Sequence, residues 1–265
     1  VVGKAETGTC AYSYNYGAVA SNGSSGQAAN IGGVFGYINW NVSVQNCYYL
    51  DSSADSSGTA HNFATVSNVE SKTSGQFASG EVTFLLDGGS TSQIWGQEIG
   101  TDGYPLLTDD ANKSVIRATF TDLQGSEEYR YANPGGTVEV PEITGTAPAG
   151  QTYFWVDAEG NKFTNATTIS ADVTLKPALA YEAPAAGSGY TIDYEAETAA
   201  AAEGYEISTD GQTWFDYADA PIEVVPGGTL LVVRVTDGDI YASETTENTL
   251  PPRPAAPDAV TGGSW

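Results

Sequence analysis

The chain has 265 residues, 33 of them acidic and 9 basic, for a net charge of −24. Such a surface repels phosphate backbones and anionic headgroups, which disfavours nucleic-acid and membrane-surface roles, and no apolar run is long enough to span a bilayer. The 5 Trp, 16 Tyr and 8 Phe argue for packed cores rather than disorder, and two cysteines are too few for a disulfide framework.

In chain order, the first signal is an internal repeat. Val1-Val2-Gly3-Lys4 is answered by Val34-Phe35-Gly36-Tyr37 thirty-three positions on, and Tyr12 to Gly17 by Asn46 to Asp51 thirty-four positions on. A period of that length, with small residues at corners and aromatic or aliphatic residues between them, predicts stacked β-coils. Gly32-Gly33-Val34-Phe35-Gly36 followed by Asn46-Cys47-Tyr48 resembles the GLUG-type repeat of bacterial surface and secreted proteins, over residues 1–51. The resemblance implies a β-solenoid end working outside the cell. Asp51 to Gly58 reads as a polar loop.

Farther on, Ser79 as N-cap, Val82, Leu85 and Leu86 on one side and Gly88 as terminator predict one short helix. Ile94 to Ile99 reads as a strand, Thr101 to Tyr104 as a turn, and Tyr104 to Leu107 as the close of the unit. This order resembles the cap that follows GLUG-type repeats, and a cap is needed to cover the last coil's open edge. The first domain is therefore expected over 1–110, with Asp109 to Lys113 as a polar hinge.

A second module is expected over 115–180, with strands at Val115–Phe120, Thr137–Pro141, Tyr153–Val156 and Val173–Pro177 and turns at Asn133–Gly136 and Asp157–Gly160. The order is similar to the Listeria–Bacteroides repeat, a β-grasp-like module, although Phe154 stands where that family has Gly before its Trp. Over 185–252, alternation at Tyr190, Ile192 and Tyr194 and at Tyr205 and Ile207, a turn at Thr209–Gln212 and an apolar run at Thr229–Val235 predict a β-sandwich. These residues resemble the short immunoglobulin- or fibronectin-like repeats of bacterial surface proteins. Residues 253–265 read as a Pro-rich spacer. The absence of Met, the opening in mid-repeat and this spacer suggest a piece of a longer protein. The predicted fold class is mostly β: a β-solenoid end with a small capping helix, a β-grasp-like module, then a β-sandwich.

Candidate chemistry is sparse. His61, the only histidine, sits in a Gly-, Ser- and Asn-rich stretch read as a loop, without the strand-turn context of a nucleophile's base. Cys10 and Cys47 lie 37 apart against a repeat of 33 or 34. The three-residue offset puts them roughly 10 Å apart along neighbouring strands, on opposite faces, so free thiols are favoured over a bridge. One His and two such Cys cannot make a zinc site. Asp51 with Asp55 lacks calcium-loop spacing, and Asp237-Gly238-Asp239 is favoured as a plain turn. Pairs such as Glu127/Glu128 carry little signal in so acidic a chain. The tyrosines at 12, 14, 16, 48 and 49, and the cluster Trp214, Phe215 and Tyr217, each suggest a sugar-stacking surface, with core packing the favoured reading of both. Net charge falls as −8, −3 and −13 over 1–110, 111–180 and 181–265, which points to a solvated stalk at the C-terminal end.

The expectation is therefore a non-enzymatic stalk or adhesin segment, extracellular, with no catalytic, cofactor or metal residues. Its ligand would be a glycan or a protein, and neither nucleic acid nor membrane insertion is expected. The alternatives are accessory binding modules of a large secreted hydrolase, or a subunit of an extracellular filament or lattice.

Overall fold

The computed structural model describes residues 2–20, 32–53, 58–62, 65–88 and 93–253, with the backbone alone at 60–62. The described residues are mostly strand, arranged in several sheets, with two short α-helices. No described helix is long and apolar enough to cross a membrane. Two compact units form: Val1–Glu142 with Val156–Lys176, and Ile143–Trp155 with Pro177–Trp265. Asp55 and residues 254–265 of the expected spacer lie outside the described residues.

In the first unit, β1 (Val2–Asn15) runs parallel to β2 (Phe35–Leu50). The register starts at Val2↔Phe35, slips between Ala5 and Thr7, and ends at Asn15↔Tyr49, so the spacing changes from 33 to 34 as the sequence repeat does. A further rung was not anticipated. β3 (Thr59–Asn62) and β4 (Thr65–Lys72) both pair parallel with β2, at spacings of 24 and then 22. His61 therefore belongs to a strand, opposite Tyr37, and not to a loop.

All three rungs turn a corner at one level. Tyr12, Asn46 and Asn68 each adopt a left-handed φ of 51–52°, and Asn68 Nδ2 donates to Asn46 Oδ1 at 2.8 Å. Asn tolerates this conformation better than most residues. Val34, Phe35, Ile38, Val42, Val44, Cys47 and Tyr49 form the core between rungs. Gly33 and Gly58 are required there, because a Cβ would meet the Tyr49 ring at 2.2 Å and 2.9 Å.

Two helices cover the rungs where one was expected. α1 (Ser74–Ala78) begins at Thr73, whose hydroxyl accepts from Gln76 N while Gln76 Oε1 accepts from Thr73 N, a reciprocal cap. Ser79 closes α1 instead of opening the next helix, since Ser79 N already donates to Gly75 O. α2 (Glu81–Asp87) does end at Gly88, in left-handed conformation. Phe77, Val82 and Leu86 bury against Tyr48, with Tyr14, Tyr16 and Trp95 packed around them. Lys72, at the end of β4, ties the pair down by bonding Glu70 and Glu81 at 3.0 and 2.9 Å. β5 (Trp95–Gly96) and β6 (Leu106–Leu107) pair antiparallel, so only part of the expected 94–99 strand forms; Gln97 leaves it to bond α1. Ala111–Lys113 is a single 3-10 turn.

Next, β7 (Ile116–Thr121), β8 (Glu127–Ala132), β9 (Gln151–Val156), β10 (Lys162–Phe163) and β11 (Val173–Tyr181) form a sheet ordered β10-β9-β11-β7-β8. β7 is antiparallel to β8 and parallel to β11. The expected strand at Thr137–Pro141 reduces to one bridge, Thr137↔Thr168. Val140 N donates to the Asn165 side chain, and Pro141 has no N–H to offer a ladder.

In the second unit, β12 (Tyr190–Asp193), β13 (Thr198–Ala201) and β16 (Ile222–Glu223) make one sheet. β14 (Tyr205–Ser208), β15 (Phe215–Asp216), β17 (Thr229–Arg234) and β18 (Thr246–Thr249) make another, ordered β15-β14-β17-β18. Both sheets contribute to one core of Ala199, Ile207, Val224, Leu230, Val232 and Leu250. The apolar run is the interior strand β17, although only Leu230 and Val232 are fully buried while Leu231 and Val233 are half-covered.

Candidate functional site

Most residues nominated from the sequence are occupied structurally. Tyr14 donates to Pro105 O at 2.6 Å and packs edge-on to Trp95, and Tyr16 packs on Phe77 and Tyr104. Tyr48 is buried under the helices, and its phenol is pushed up to about 12, by burial first and by Glu70 next. Tyr14, Tyr16 and Tyr48 thus fasten the helices to the sheet, whereas Tyr12 is 41% exposed. The Trp214 cluster is likewise split: Phe215, on β15, packs on the core, while Tyr217, just past the end of that strand, is 58% exposed. Glu127 accepts from Tyr129 and Glu128 pairs with Arg130, so both serve their own strand. Asp237 and Ile240 exchange backbone bonds around Gly238, which makes the tight turn expected there. No group of three or more His, Cys, Asp or Glu that could hold a metal occurs among the described residues.

The two cysteines are free, as favoured from the sequence, with Cys10 half-buried and Cys47 buried, but they do not face opposite ways. The three-residue offset is present, since Cys10 faces Val44 and Ser13 faces Cys47. Yet both side chains pack on the same core, because the left-handed residues Tyr12 and Asn46 interrupt the alternation.

The residues that converge on open space lie in the second unit, around a cavity of about 390 Å³. Register builds it. Tyr205 on β14 stands opposite Arg234 on β17, and Glu206 stands opposite Asp216 on β15. Tyr181, at the end of β11, is held by Tyr181 N donating to Tyr241 O, and the Arg234 guanidinium stacks on its ring 3.6 Å from the centroid. Glu203, Asp237 and the exposed Tyr217 complete the wall. Two features are costly for folding alone. Glu206 and Asp216 are like charges placed directly opposite, an arrangement that destabilises a sheet. The Arg234 guanidinium makes no ion pair with a carboxylate among the described residues, despite four acids lining the same space. A second recess beside Pro251 and Arg253, about 70 Å³, is much smaller.

Chemically, the cavity offers a preorganised fork of donors on Arg234, paired carboxylate acceptors and a phenol ring face. That set can bind vicinal hydroxyls and the C–H face of a sugar ring. Sequence reasoning missed Tyr181 and Arg234, which lie 53 positions apart; the available clue was that Arg234 is one of two basic residues after position 180. The chain matches no protein-family model, no curated protein and no solved structure.

Proposed function

We propose that the chain is a non-enzymatic stalk or adhesin segment of a bacterial cell-surface or secreted protein, with the Tyr181–Arg234 cavity as its ligand face. On this reading residues 1–110 are the capped end of a GLUG-type β-solenoid, 115–180 a β-grasp-like module and 185–252 an immunoglobulin- or fibronectin-like sandwich. Parallel in-register rungs with a helix pair over them support the first assignment, and two sheets around one core support the third. The ligand class is a glycan, by the match of ring face, carboxylates and guanidinium to a polyhydroxylated ring. The carrying observation is the placement of Arg234, stacked and available, among carboxylates that it does not neutralise.

The test is binding of the purified chain to glycan and peptide arrays, repeated with Tyr217→Ala and Arg234→Ala. Saturable glycan binding that weakens in both variants, with unchanged circular dichroism, supports the reading. Binding that both variants retain places the ligand elsewhere, and preference for peptides changes the ligand class. A second reading, the filament subunit, draws on the position of β1 as an outer strand of its sheet, since such strands template pairing. Concentration-dependent association in sedimentation velocity, lost on Thr9→Pro, would favour it.

A further inference from the structure

We infer that Cys10 and Cys47 are a latent disulfide pair that staples the first rung to the second when the protein meets an oxidant. The two sulfurs are brought toward one point by three separate contacts. Cys47 Sγ lies 3.9 Å from Cys10 O. Cys10 Sγ lies 3.9 Å from Ser13 Oγ, and Ser13 is the lateral neighbour of Cys47 in the ladder. Both side chains pack against the same apolar cluster. Flat-strand counting would separate them along the sheet and onto opposite faces; the corner at Tyr12 and Asn46 bends each strand between the relevant positions and undoes both effects. The state of Cys47 agrees with this closeness: burial first, and Cys10 second, push its thiol up to about 12.

The reaction balances with a low-molecular-weight disulfide as oxidant. The Cys10 thiolate, on the half-buried side, attacks one sulfur of the oxidant, forming a mixed disulfide and releasing one thiol. Cys47 then gives up its proton and attacks the Cys10 sulfur, which breaks the mixed disulfide and releases the second thiol. The protein loses two electrons and two protons; the oxidant gains both as two thiols. Because Cys47 reacts as thiolate, closure is the slow step, and it accelerates about tenfold per pH unit below the Cys47 pKa.

The experiment incubates the full chain with oxidised glutathione at pH 8 and pH 9, with intact mass and peptide mapping as readouts. The expected end state is loss of two hydrogens, a peptide linking Cys10 to Cys47, faster closure at pH 9, and a melting temperature that rises and falls back on adding dithiothreitol. Cys47→Ser should instead keep one glutathione on Cys10, which shows that the first step is accessible. A wild-type chain that keeps both thiols, or that ends with a lasting glutathione on Cys10, overturns the inference. So does a Cys47→Ser chain that takes no adduct.

Discussion

Replacing Gln97 by Leu should unfasten the helix pair. Gln97 is fully buried, and its Nε2 donates to Phe77 O at 2.9 Å, Ala78 O at 3.2 Å and Asp102 O at 2.8 Å, while Oε1 accepts from Thr83 Oγ1 at 2.6 Å. Phe77 and Ala78 are the last residues of α1, whose terminal carbonyls have no partner within the helix. One amide therefore caps α1, fixes the 98–102 turn and reaches α2 through Thr83. Leu fills the volume but leaves the buried Phe77 carbonyl and Thr83 hydroxyl without partners, at about 1–3 kcal/mol for each unsatisfied group. For these two groups together the loss should be about 2–6 kcal/mol. Gln97→Glu should be worse, since it sets a carboxylate against the same carbonyl oxygens. Hydrogen exchange over residues 74–107, with guanidinium titration of the whole chain, measures the effect. A Thr83→Val cycle should show about 1 kcal/mol of coupling. A loss under about 1 kcal/mol for Gln97→Leu, or a tolerated Gln97→Glu, would refute the capping role.

Gly33→Ala should cost about 1–3 kcal/mol, read from the same titration, because its Cβ would lie 2.2 Å from the buried Tyr49 ring; an unchanged midpoint would count against the packing described. Asn46→Ala should cost about 1–2 kcal/mol through its left-handed backbone and the lost bond from Asn68, and Asn46→Gly distinctly less if backbone strain is the larger part. The first unit should also weaken in alkali. Tyr48 has a folded pKa of about 12 against about 10 unfolded, so its neutral form stabilises fully below pH 10, and that contribution is lost as pH rises toward 12. The decline should amount to roughly 2–3 kcal/mol, and Tyr48→Phe should flatten it; an identical slope in that variant would show another group responsible.

The sequence disclosed what repeats and what is apolar. The change of spacing from 33 to 34 between β1 and β2 appeared as a ladder slip at Ala5/Thr7, and the run Leu230 to Val233 became an interior strand. It hid what is polar and pairs only sideways. The third rung, Thr65–Lys72, escaped because its spacing drops to 22 and most of its side chains face solvent. β8, reading Glu-Glu-Tyr-Arg-Tyr-Ala, is a strand because Asp122 Oδ1 accepts from Gln124 N and Ser126 N and turns the chain back onto β7. The Thr73/Gln76 cap was legible as a spacing and passed over in favour of Ser79. The cavity was illegible for a different reason. Tyr181, Glu206, Asp216 and Arg234 sit on four separate strands; register makes Glu206 and Asp216 neighbours, and the backbone bond to Tyr241 brings Tyr181 under Arg234 from another sheet.

Exposing the intact chain to a panel of glycans and peptides, with bound ligand and released product followed in the same samples, separates a binding segment from an enzyme. A binding segment should retain a glycan saturably, lose it on Arg234→Ala and Tyr217→Ala, and release no product. Product formation that a single Asp or Glu substitution abolishes would contradict the claim and make the chain an enzyme.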